Sequence, residues 1–155
     1  MRITTASTAD TDAVADLWVE LADDQRRYGS HLLGAPNRPA IREAILQRIV
    51  TDDLLVARLN GTIVGFVMFT MEGGRYEQDV RTGLVENLYV RAESRRDGVG
   101  SALLDGAERR LAEAGATAIA IEAMADNEAA REFYARHGYG PHRVELEKSM
   151  ESDTS

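Results

Sequence analysis

The sequence predicts an α/β (α+β) fold in which helices flank one mixed, mostly antiparallel sheet. Three observations predict it. Leu54–Leu59 and Thr62–Met71 are apolar runs joined by Asn60-Gly61, the strongest short hairpin signal in a sequence. Residues 84–90 follow a polar tip containing Gly73-Gly74, so three strands run as a meander. Residues 84–90 and 118–122 then flank a stretch of helical periodicity, and strands joined through a helix are parallel.

Taken in order, residues 1–5 read as a short opening strand. Thr8 or Asp10 caps a helix over about 11–27, with Val14, Leu17, Trp18 and Leu21 as its apolar stripe. Residues 28–38 carry Gly29, Gly34 and Pro36 and read as a loop. A second helix, about 39–50, keeps Ile41, Ile45 and Ile49 in register. After the meander, Val99, Leu103, Ala107 and Leu111 fall at steps of four on the helix that Gly115 stops. Asp126 or Asn127 caps a last helix over about 128–136, ended by Gly138. Val144 and Leu146 alternate with charged residues as a final strand.

Composition narrows the function. With 155 residues, no internal repeat and no linker, one domain is expected over 1–148, with a polar tail at 149–155. No run of about 18 apolar residues predicts a membrane span, and the start lacks a secretory signal's apolar segment. Cysteine is absent, which excludes disulfides, thiolate metal sites and a cysteine nucleophile, and a cytoplasmic location is expected. His31, His137 and His142 have no metal-ligand spacing, so no metal is expected. The net charge is −8 and Lys148 is the only lysine. Such a chain repels phosphate-rich surfaces, so neither nucleic acid nor a membrane is an expected partner. Its field attracts cationic amines, but the stronger reading is that an acidic surface with arginine in place of lysine serves solvation in a salt-rich cytoplasm or reflects a GC-rich genome.

The chemistry concentrates between residues 84 and 101. A strand ending Leu88-Tyr89-Val90 leads into Arg95-Arg96-Asp97-Gly98-Val99-Gly100-Ser101 and then a helix. A strand, a glycine-bearing basic loop and a helix start together hold phosphate, because free amides and the positive end of the helix dipole converge there. The same glycines can also simply permit a turn. G-x-x-x-x-G-K-[ST] is missing, and Leu103 stands where a dinucleotide fingerprint needs its third glycine.

Arg95-x-x-Gly98-x-Gly100 after this strand resembles the acyl-CoA motif of the GCN5-related N-acetyltransferases, the GNAT superfamily. The resemblance implies a GNAT fold splayed between strands 84–90 and 118–122 to admit CoA. It places the pantetheine arm along Leu88, Tyr89 and Val90, and the pyrophosphate on Arg95, Arg96, Asp97, Gly98, Val99, Gly100 and Ser101. Ala92 and Asp97 depart from the pattern, and a carboxylate beside a pyrophosphate weakens attraction unless it points to solvent. A second segment, Asn127-x-x-Ala130-x-x-Phe133-Tyr134-x-x-His137-Gly138-Tyr139, also resembles GNAT members. Ala130, Phe133 and Tyr134 would be core on any amphipathic helix. Expelling a thiolate needs a proton donor, and the resemblance puts that general acid on Tyr134. Asn127 resembles a pantetheine or pyrophosphate ligand, and helix capping explains it equally well. His137, in a last helical turn, reads as structural.

The implied reaction is acetyl transfer from acetyl-CoA to a primary amine by direct attack, which requires a base. Strand alternation puts Glu86 on a face with Leu84, Leu88 and Val90, where burial would raise its pKa. Glu86 is therefore the candidate base, with a solvated glutamate as the competing reading and Glu122 in reserve. Residues 28–38 lie where GNAT members build an acceptor pocket, so Tyr28 and His31 are candidates to line it. The acceptor is a small-molecule or peptide amine. The segment after residue 138 is short beside members with a long final hairpin, which would expose an edge for a homodimer. Two other readings are a non-catalytic acyl-CoA sensor or subunit and a nucleotide-binding module.

Overall fold

Five strands form one sheet in the order β1-β2-β3-β4-β5, antiparallel except for the parallel β4–β5 pair. The computed structural model describes residues 1–74 and 76–151. Arg75 and residues 152–155, part of the polar tail, lie outside the described residues. The strands are β1 (Arg2–Thr5), β2 (Leu54–Leu59), β3 (Thr62–Met71), β4 (Thr82–Val90) and β5 (Ala118–Ile121). The helices are α1 (Thr11–Gln25), α2 (Arg38–Val50), α3 (Val99–Glu113) and α4 (Glu128–Arg136).

Both faces of the sheet are covered. On one side α1 and α2 bring Leu17, Trp18, Ile45 and Ile49 against Phe66, Met68 and Tyr89. On the other, α3 brings Val99, Leu103, Leu104, Ala107 and Leu111 against Leu55, Val67, Phe69 and Val85. This explains the unbroken apolar run in β3, since a strand covered on both faces loses its polar alternation. The start of α1 is fixed by a single carboxylate. Asp10 accepts from the Ser7 backbone N–H at 2.9 Å and from Arg58 at 2.6 Å. Burial works against its charge, but the Ser7 amide and the Arg58 guanidinium together hold Asp10 below the usual carboxylate range.

Two features position the site. The first is a β-bulge, because Met68 pairs with Asn87 and Phe69 with Val85, leaving Glu86 as the extra residue of β4. Side chains therefore stop alternating there. Leu88 and Val90 pack on the α3 side, while Glu86 reaches α2. The expected face shared by Glu86, Leu88 and Val90 is not formed, because the bulge inserts one residue between them. The second is the parting of β4 from β5. They pair from Thr82 with Ala118 to Val85 with Ile121, and beyond that point β4 continues to Val90 paired with β3 only. This is the expected splay.

One expected element is missing. Residues 141–148 form no strand, and Val144 and Leu146 are exposed. Their alternation fits a sheet edge, but they pair with no strand among the described residues, and a lone strand has nothing to satisfy its backbone.

Candidate active site

The chain leaves β4 through a hydrogen bond from Arg91 N–H to the Val64 carbonyl, 2.8 Å, and turns once over Ala92–Ser94. Arg96 and Gly98 then take left-handed conformations, with φ of 69° and 80°. These two residues swing the backbone into α3. A β-carbon at Gly98 would meet nothing, so its conformation, not space, calls for glycine. Gly98 is also the N-cap of α3 and supplies no capping side chain, which leaves the first-turn amides at Val99, Gly100 and Ser101 open to a ligand. The Val99 side chain is buried in the α3 core, so this residue offers the loop only its backbone.

The loop arginines differ in use. Arg95 turns back to β4, its Nε donating to the Val90 carbonyl at 2.8 Å and its guanidinium lying 5.5 Å from the Tyr89 ring centroid. Arg96 is exposed, and so is Asp97, whose carboxylate is therefore solvated beside the amides. A bound anion would meet this loop through the amides and Arg96 more readily than through Arg95.

Two contacts join this loop to α4. A β-carbon on Gly100 would lie 3.4 Å from the Phe133 ring, an ordinary contact distance, so α4 packs directly over this residue. Ser101 Oγ and His137 Nε2 are 3.0 Å apart, one hydrogen bond between the first turn of α3 and the end of α4. His137 thus does more than end a helix. No sequence pattern shows this pairing, because the two residues are 36 positions apart.

Asn127 is buried and caps α4, its Oδ1 accepting from the Ala130 N–H at 3.1 Å. The capping reading holds, and the amide nitrogen keeps its donors for other use. Tyr134 packs edge-on against Phe133, 5.3 Å between centroids, and against Tyr139 at 6.0 Å. Tyr139 is itself anchored, donating to Glu108 Oε2 at 2.8 Å. Burial alone pushes the Tyr134 phenol up to about 12, so it is a standing proton donor at neutral pH.

Glu86 is held by Arg48 in a bidentate ion pair, 2.7 Å and 3.0 Å. Its setting is a salt bridge and not the apolar surface expected from alternation. The Glu86 hydrogen bond in turn raises the Arg48 pKa. Glu122, one residue past the end of β5, is exposed. The loop after α1 approaches the chain beyond β5, where a β-carbon on Gly29 would lie 3.9 Å from the Met124 methyl. Farther along the loop, His31 donates to the Glu147 carboxylate at 2.8 Å. Among the described residues, no group of three or more His, Cys, Asp or Glu stands close enough together to hold a metal.

A glycine-turned helix start that α4 clasps beside a parting between parallel strands defines an acyltransferase architecture, and comparison with known proteins agrees. Residues 16–139 match the model of the acetyltransferase (GNAT) family, and the chain belongs to that family. It is 28% identical over 142 residues to the uncharacterized N-acetyltransferase YhfO of Bacillus subtilis (strain 168), covering 90% of this chain and 89% of YhfO. Its fold resembles a mutant of the BH1408 protein from Bacillus halodurans, with a TM-score of 0.83 at 16% identity and coverage of 97% and 99%. A GCN5-related N-acetyltransferase from Ralstonia eutropha JMP134 gives 0.76 at 24% identity, covering 96% and 97%.

Proposed function

We propose that this chain transfers the acetyl group of acetyl-CoA to a primary amine by direct attack on the bound thioester. The observation that carries the reading is the clasp between α3 and α4. The uncapped amides after Gly98 and the Tyr134 phenol are held in one unit by the Gly100–Phe133 contact and the Ser101–His137 bond.

The residues present fit the group. The amides at Val99, Gly100 and Ser101, the helix dipole and Arg96 suit a pyrophosphate. The end of β4 from Leu88 to Val90, free of β5 on one side, suits a pantetheine amide as an added backbone partner, and the Asn127 amide nitrogen retains its N–H donors. Acetyl-CoA supplies an activated acyl carbon and a thiolate leaving group. Tyr134 presents an O–H to the departing sulfur and serves as the acid. Glu86 takes the ammonium proton, directly or through water, and Arg48 fixes its orientation. Glu122 is the reserve base. The acceptor is a small-molecule or peptide amine, and an overall charge of −8 favours a cationic one.

A second reading, acyl-CoA binding without transfer, is favoured by one observation: Arg48 already occupies Glu86. A thiol-release assay with acetyl-CoA and a panel of amines decides between them. The chain has no cysteine, so a thiol reagent reports CoA with no protein background. Amine-dependent CoA release supports transfer. Tight acetyl-CoA binding with no release for any amine supports the sensor.

A further inference from the structure

Lys148 is the only lysine in a chain whose other cationic side chains are arginines. It ends a stretch, 141–148, that is exposed throughout and has no regular structure. Among the described residues it joins none of the ion pairs. Its ammonium is therefore open to solvent.

The residue beside it is nevertheless placed. Glu147 meets His31 Nε2 through both carboxylate oxygens, at 2.8 Å and 2.9 Å, across 116 positions of chain. His31 is two residues from Gly29, a reach of at most about 7 Å. A β-carbon on Gly29 would lie 3.9 Å from the Met124 methyl. Met124 in turn follows closely on Ile121, where β5 makes its last pair with β4. These contacts lead from the neighbour of Lys148 to the rim where β4 and β5 part. Glu122 is exposed on that rim, and a chain of net charge −8 favours an ammonium near it. The α-amine at Met1 has no such placement, because it precedes β1, the strand at the opposite edge of the sheet.

We propose that Lys148 is an internal acceptor, taking the acetyl group from acetyl-CoA bound to the same chain. The proposal rests on the acetyltransferase reading above. Tethering favours it, because a short flexible segment presents its end group at an effective concentration in the millimolar range. Lys148 Nζ attacks the acetyl carbonyl carbon, so a C–N bond forms and the C–S bond breaks. Two protons leave as the ammonium becomes an amide: one ends on the CoA thiol and the other in solvent. The product is a neutral side chain that cannot react again, so the event occurs once per chain.

The test incubates the full chain with acetyl-CoA and no added amine, followed by intact mass and peptide mapping. One acetyl group at Lys148 is expected, formed at a rate per chain that a roughly tenfold dilution leaves unchanged, as an intramolecular step requires. Lys148→Arg should take up none. Glu147→Ala, which releases the segment from His31, should slow the labelling of Lys148. Gly100→Glu, expected to lose acetyl-CoA, should abolish it and so separate it from spontaneous acetylation. An unmodified Lys148, a rate that falls on dilution, or equal labelling in Glu147→Ala or Gly100→Glu overturns the proposal. The amine panel run alongside shows how far the failure extends. Amine-dependent CoA release with Lys148 unmodified removes this inference alone, and neither reaction removes the acetyltransferase reading with it.

Discussion

Replacing Tyr134 by Phe removes one oxygen and leaves the ring packed between Phe133 and Tyr139. The Tyr134 pKa is raised by burial with no hydrogen bond contributing, so the hydroxyl has no strong protein partner to lose. Stability should therefore change by less than about 0.5 kcal/mol, far below a cavity-forming change. Activity should fall much more. With a pKa of about 12, the phenol is a weaker acid than a free thiol at about 8.5 by more than three units. Complete proton transfer to sulfur is then uphill, and the dominant contribution is a hydrogen bond to a charged group, about 1.5–3 kcal/mol. At 1.36 kcal/mol per tenfold, Tyr134→Phe should lower kcat by roughly 10- to 150-fold, the low end of what general acids supply. The assay is CoA release at saturating acetyl-CoA and amine, with melting followed in parallel. A loss below threefold would refute the reasoning. So would an alkaline limb in the wild-type rate near pH 8–9 that disappears in the variant, because the buried phenol stays protonated there.

Other parts of the structure make their own predictions. Gly98→Ala should cost about 1–2 kcal/mol of folding stability although its β-carbon meets nothing, because φ is +80°; an unchanged denaturation midpoint would show the loop rearranging. Asp10→Asn should cost about 1–3 kcal/mol at pH 7 in chemical denaturation. Asp10 has a depressed pKa in the folded state, so its contribution is present above the unfolded value of about 3.9 and is lost as pH falls through the folded value. The gap between wild-type and variant should accordingly begin to shrink as pH falls below about 4 and close below the folded value, and a gap that does not shrink with acidification would contradict the Ser7–Asp10–Arg58 account. Glu86→Gln should lower kcat by about 10²-fold or more if Glu86 is the base, whereas Arg48→Met should lower it less, since Arg48 only orients the carboxylate; equal losses would make the ion pair a structural unit.

Much of the architecture was legible because its signals are local. Asn60-Gly61 specifies a hairpin whatever surrounds it, and the steps of four from Val99 to Leu111 specify the buried face of α3. The bulge at Glu86 was not legible. Residues 84–90 contain no glycine or proline to mark it, and one inserted residue is enough to move a carboxylate from one face of a sheet to the other. That single residue separates the expected apolar setting of Glu86 from its ion pair with Arg48. The alternation of Val144 and Leu146 predicts a final strand, and the structure overturns it, because the segment pairs with no strand among the described residues. Pattern reports what a segment can pair with, not where a partner lies. The Ser101–His137 bond illustrates the same limit, because contacts between distant segments leave no period in the sequence.

Isothermal titration with acetyl-CoA and with ATP tests the central claim most directly, using the wild-type chain and Gly100→Glu. A glutamate at position 100 would extend from a β-carbon in contact with Phe133 and bring a carboxylate to the first turn of α3, where the amides are open. The account predicts acetyl-CoA binding in preference to ATP, and loss of that binding in a Gly100→Glu protein that still melts cooperatively. Absence of acetyl-CoA binding by the wild-type chain, or binding that Gly100→Glu leaves intact, would contradict it.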